Sequence, residues 1–161
     1  MTSYRLIIGI IVGIIFSFLS AFFFHIEEIT MQIPLYVNSD FLKVLILLIG
    51  VNFKFDIISS FLSSPSILVF LSPQILSTIF IGYIAGTIVK GVKRGLIASS
   101  MIIVIDILIW MLLSVISGED LMSFFQDVQL ISTIGGILSA LLGATLGGLL
   151  GGLITGPYEE I

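Results

Sequence analysis

Residues 135–156 read GGILSALLGATLGGLLGGLITG. Gly135, Ser139, Gly143, Gly147, Gly151 and Thr155 recur at every fourth position. Gly136, Ala140, Ala144, Gly148, Gly152 and Gly156 form a second ridge beside the first. Leu and Ile fill almost all the remaining places. In water each such glycine costs a helix roughly 1 kcal/mol against alanine. In hydrocarbon an unpaired backbone group costs several kcal/mol, so the chain stays helical there despite its glycines. Small residues then admit a second backbone at close range. The stretch therefore predicts a membrane helix contacted along its length.

The composition agrees. Of 161 residues, 58% are hydrophobic and only 10% are charged, whereas about a quarter of a soluble domain is charged. Ten carboxylates face six Lys and Arg, so the basic patch a nucleic-acid partner needs is missing. Without cysteine there is no disulfide, thiol chemistry or Cys-ligated metal. His25 stands alone in sequence, and no metal site is expected around it.

A membrane span needs about 20 apolar residues. Four stretches qualify: Leu6–Phe24, Ser66–Val89, Leu96–Ile116 and Leu130–Ile154. The first is longer than the apolar core of a signal peptide and lacks a small-x-small cleavage site, so it reads as a retained span. Phe41–Phe61 is different. Asn52, Lys54 and Asp56 interrupt it, and three such groups are expensive at bilayer depth. It predicts an interfacial or re-entrant helix, capped by Asn38-Ser39-Asp40. With four spans, Arg5 and the Lys90–Arg94 loop share a side, which the positive-inside rule makes cytoplasmic. The expectation is an all-α polytopic integral membrane protein, a single multi-pass membrane domain with both termini in the cytoplasm. The lipid bilayer is its first partner.

The small-residue pattern extends to other spans. Gly9, Gly13, Ser17 and Ala21 make one ridge, and Thr78, Gly82 and Gly86 make another. In the last span, Gly143, Gly147, Gly148, Gly151 and Gly152 are the strongest packing candidates. Two compatible readings follow. The ridges pack the chain's own bundle, or the last span also serves a second copy or a larger membrane complex.

Asp106 is the one clear ionisable group deep in a span. A carboxylate there costs at least about 2.5–3.5 kcal/mol, so it faces the bundle, is neutral, or meets a partner. Ser99, Ile103, Asp106 and Trp110 share a helical face through three- and four-residue spacing. Two readings stay open: a proton or cation site, or a protonated carboxyl bonded to a neighbouring helix. Pro73 in the second span is expected to kink it and free a carbonyl. Gln74 beside it would then either join Asp106 in a polar pocket or make a plain polar contact across helices. Asn52, Lys54 and Asp56 could pair with one another at the interface, and Lys43 and Lys54 are expected to reach toward headgroups. No hydrolase, zinc-protease or nucleotide-binding motif is present. The chain does not read as an enzyme and no cofactor is expected.

Ile81-Gly82-Tyr83-Ile84-Ala85-Gly86, the short polar turn to Lys93, and Gly95-Leu96-Ile97-Ala98 resemble a group of small archaeal multi-span membrane proteins of unknown function. The glycine-rich stretch Gly143–Gly156 is similar to their last span. Residues Ile29–Ser64 depart from that pattern. The resemblance implies a multi-span membrane fold and carries no activity with it.

Two functions are consistent with these residues. One is a non-enzymatic membrane scaffold or accessory subunit packed through glycine-rich helices, homo-oligomeric in one form. The other is a small channel or transporter with Asp106 as an intramembrane proton or cation site, aided by Gln74 and Ser99.

Overall fold

In a computed structural model, the apolar runs become a helical bundle, with seven α-helices and no strand among the described residues. The structure describes residues 2–36, 40–63, 71–120, 122 and 125–156. The elements are α1 (Thr2–Phe24), α2 (Ile26–Tyr36), α3 (Phe41–Gly50), a 3-10 turn (Val51–Phe53), α4 (Ile57–Ser63), α5 (Pro73–Val89), α6 (Val92–Ile116) and α7 (Asp127–Ile154).

Among the described residues, three stretches are long and apolar enough to cross a membrane: Tyr4–Phe24, Val92–Ile116 and Gln129–Ile154. At about 1.5 Å per residue, each exceeds the roughly 30 Å of a hydrocarbon core. The 17 residues of α5 reach only about 25 Å. Pro73 does not kink that helix. It occupies the first turn, after Ser72 at the N-cap, where a missing N–H costs nothing. Residues 64–70, where the second span is expected to begin, lie outside the described residues.

The bundle is apolar on its outer faces as well as in its core. Ile7, Ile11, Ile15 and Leu19 of α1 are exposed. So are Ile97, Met101, Val104, Leu108 and Leu112 of α6, and Leu138, Leu142, Leu146 and Leu150 of α7. Ser17, Ser20, Asn52, Ser77, Asp106 and Ser114 are buried. Continuous apolar faces of this length exceed what a monomeric soluble protein shows to water. They place the protein in a membrane.

The glycines explain how the helices fit. A side chain on Gly82 would collide with the backbone of Ala144, and one on Gly86 with that of Gly148. Gly147 and Gly151 of α7 press on the backbone of α5 at Ile79, Tyr83 and Thr87, and Gly143 meets Thr78. On the other side of α7, Gly148 faces Gly95 and Ser99, while Gly152 faces Gly91. The two ridges of α7 thus serve two neighbours within this one chain, α5 and α6. On α1, Gly9 accommodates Val89 and Gly13 accommodates Ile102.

These contacts also sort the charges. Gly9 beside Val89 and Gly152 beside Gly91 bring Arg5, Lys90, Lys93 and Arg94 toward one end. Glu28, Asp40 and Glu119 lie toward the other, which we call the acidic end.

The segment 41–61 is not one helix. It divides at Val51–Phe53 into α3 and α4. Asp40 caps α3 by accepting from the Leu42 amide. Asp56 caps α4, accepting from the Ile58 and Ser59 amides and the Ser59 hydroxyl. A helix that would have carried Asn52, Lys54 and Asp56 on its faces instead breaks, so each finds a separate partner. Val44, Ile46, Leu47, Leu48 and Ile49 are all buried, so α3 is packed inside the bundle.

Gly82→Ala is expected to destabilise the chain by about 1–3 kcal/mol, the range for overpacking a tight core. Thermal unfolding in detergent, followed through the sole tryptophan, Trp110, measures it. Leu146→Ala, on an exposed face, is the control and should leave the midpoint nearly unchanged.

Candidate functional site: a buried polar centre at the helix break

Small residues on α1 form one wall of the centre. Gly13, Ser17 and Ser20 stand three and four residues apart, so they share a face. Their size leaves room for two larger polar groups, Asp106 from α6 and Asn52 from the 3-10 turn. Ser77 of α5 closes the ring. All five polar side chains are buried, with Asp106 only 1% and Asn52 2% exposed.

Hydrogen bonds join them across four elements. The Ser17 hydroxyl lies 2.5 Å from Asp106 Oδ2 and 3.2 Å from the Gly13 carbonyl. The Asn52 amide donates to the Ser17 carbonyl at 3.2 Å. Asn52 Oδ1 accepts from the Ser77 hydroxyl at 2.5 Å, and Ser20 Oγ lies 3.3 Å from it. Asn52 therefore ties α1 to α5 through the break. Asp106 Oδ1 has no hydrogen-bond partner among the described residues. Neither has Ser114 Oγ, two turns along the same face of α6. Leaving such atoms unpaired in an interior costs on the order of 1–3 kcal/mol each.

The break itself is held by α7. Ser139 donates to the Phe55 carbonyl at 2.8 Å. Gly135 and Gly136 lie against Asp56 and the Phe53 backbone, where a larger residue would collide.

Of the residues singled out in the sequence, Asp106 is at the centre, and its partner is Ser17. Ser99 instead bonds the Leu96 carbonyl at 3.1 Å and packs against Gly148. It lies seven residues from Asp106, about 10 Å along the helix. No hydrogen bond among the described residues links Gln74 to Asp106. The Gln74 carbonyl lies 3.3 Å from the Thr78 hydroxyl. Asn52, Lys54 and Asp56 do not pair with one another: Lys54 pairs with Glu28, and Asp56 caps α4. Ser20, Ser77 and Ser114 carried no signal as single residues. Extending the Asp106–Trp110 spacing by one more turn reaches Ser114, and the small ridge of α1 already contains Ser17.

The centre offers one carboxylate amid neutral oxygens. Among the described residues no three His, Cys, Asp or Glu side chains gather as a metal site. One negative charge balances a proton or a monovalent cation. A divalent ion would leave a net positive charge in a low-dielectric interior, which is expensive.

His25 sits at the acidic end of α1, buried, with Nε2 unpartnered among the described residues. Burial lowers its pKa from the ordinary 6.5; Glu28 opposes the shift and Lys54 adds to it.

Comparison with family models, curated proteins and solved structures finds no match to this chain.

Two outcomes follow. Asn52→Ala removes the tie between α1 and α5 and strands the Ser77 hydroxyl; a loss of about 1–3 kcal/mol is expected in thermal unfolding. For His25, the unfolded chain binds the proton more readily than the folded one. Its contribution to stability is complete above pH 6.5 and declines as pH falls from there through the lower folded pKa. The unfolding midpoint should drop on acidification across that window, and His25→Gln should flatten the slope.

Proposed function

We propose that this is a small multi-pass transport protein whose interior binds a proton or a monovalent cation at Asp106. The observation that carries it is the buried carboxylate with one oxygen unpartnered, set beside a helix break. An ionisable group inside a membrane is costly and marks an ion or proton pathway by default. Helices that break inside the bundle are how transporters expose polar groups to a substrate ion at membrane depth. Here the break supplies Asn52, and the neighbouring helix supplies Ser17.

In this reading α1, α5, α6 and α7 are the four spans, and α3 and α4 form a re-entrant pair. The basic end is cytoplasmic, following the positive-inside rule. The ion-site reading is favoured over a scaffold docked through its last span. Both glycine ridges of α7 are occupied by α5, α6 and the break, so they are not left free for another chain.

The test is modification of Asp106 by dicyclohexylcarbodiimide, which attacks protonated carboxyls in apolar surroundings. Purified protein in detergent should label at Asp106, and Asp106→Asn should not. Labelling should fall as pH rises. If the site accepts sodium, Na+ should slow labelling relative to choline at equal ionic strength. Proteoliposomes should show a proton or sodium flux that Asp106→Asn abolishes. Labelling indifferent to pH and salt, with flux unaffected by that substitution, defeats the reading.

A further inference from the structure

The polar centre is enclosed, so an ion must pass side chains to reach it. A cavity of about 330 Å³ opens between α2, α3, α6 and α7, lined in part by Gln32, Lys43, Gly50, Phe53, Trp110 and Ser132. Two of these residues also adjoin the centre. Phe53 follows Asn52 in the 3-10 turn, and Trp110 stands one turn from Asp106 on the same face of α6. Their rings pack with centroids 6.3 Å apart at 48°. The indole edge lies against Gly50, where an added Cβ would sit 3.1 Å from Nε1. The ring pair therefore lines the cavity next to residues of the centre.

Polar atoms continue along α6 from Trp110 toward the acidic end. Ser114 is one turn beyond Trp110, buried, with Oγ unpartnered among the described residues. Ser117 then donates to Asp40 at 3.1 Å, at the acidic end. The unpartnered oxygens of Asp106 and Ser114 thus bracket Trp110 along one line of α6. Glu119 and Lys43 both line the cavity, and Lys54 is already paired with Glu28.

We infer that this cavity is the vestibule through which a monovalent cation or proton reaches the polar centre, and that Trp110 packed on Phe53 is its gate. The inference rests on Asp106 being the ion site. An apolar constriction blocks an ion by excluding the water that solvates it. Aromatic faces lower the cost of passage once they part, because they attract cations. The missing side chain of Gly50 admits the indole edge, which a Cβ there would crowd.

The chain contains no cysteine, so single-cysteine variants read access without background. Ser77→Cys reports the centre and Ser132→Cys reports the cavity. Silver ion, a monovalent thiol reagent of about sodium's size, is applied to proteoliposomes from each side in turn. Blocked thiols are counted by later maleimide labelling of the denatured chain. Ser132→Cys should react readily from the acidic-end side. Ser77→Cys should react slowly, and Trp110→Ala or Phe53→Ala should accelerate it at least about tenfold from that side alone. That factor reflects a gate whose open form is populated roughly 0.1–10% of the time.

Trp110→Phe keeps a smaller ring and serves where the alanine variants fail to fold; it should also accelerate the reaction. An unchanged Ser77→Cys rate beside a reactive Ser132→Cys, or acceleration from the basic end, overturns the proposal. Cation protection of Asp106 with ungated access at Ser77→Cys overturns the route alone. Gated access without cation or pH dependence at Asp106 overturns the ion assignment alone.

Discussion

One constraint governs this molecule: no polar group can be left facing hydrocarbon. It sends Leu and Ile of α1, α6 and α7 outward and turns Ser17, Ser20, Asn52, Ser77 and Asp106 inward. It also gives a helix break only one place to exist, which is inside the bundle against other polypeptide. The apolar exterior and the inward-facing polar side chains are two results of the same requirement.

Glycine makes that interior possible. Because Gly82, Gly86, Gly147 and Gly151 let the α5 and α7 backbones touch, dispersion contacts replace the hydrophobic drive that lipid does not provide. The same run, at its upper end, makes room for the break. Gly135 and Gly136 admit the chain around Phe53 and Asp56, and Ser139 caps the Phe55 carbonyl. Helix packing and the polar centre are thus consequences of one stretch of sequence.

The centre is not closed upon itself. Asn52 is shared among Ser17, Ser20 and Ser77, whereas Asp106 uses one oxygen and leaves the other unpartnered among the described residues. Incompletely satisfied networks cost stability in a low-dielectric interior. An apolar residue at position 106 would leave no oxygen unpaired there. The expensive choice is intelligible if the free oxygen has a visitor, and it gives the ring pair of Trp110 and Phe53 something to guard.

Much of the architecture was legible without coordinates. The all-helical class, the membrane location and the ridge on 135–156 follow from composition and four-residue periodicity, because the solvent a helix needs is encoded in its own side chains. Asp106 announced itself by standing alone among apolar residues. Its partners did not. Ser17 lies 89 positions from Asp106 and Asn52 lies 25 from Ser77, and nothing local specifies which serine meets which carboxyl. Pro73 misled for a related reason: a proline kinks a helix already begun and starts one not yet begun, and its surroundings decide which. The sequence alone determined the long apolar helices, their apolar solvent and the close-packing faces, since those depend on spacing along one chain segment. Only the tertiary structure decided that both glycine ridges close within one chain and that a break at Asn52 meets Asp106 through Ser17, since those depend on which distant segments share the same few ångströms.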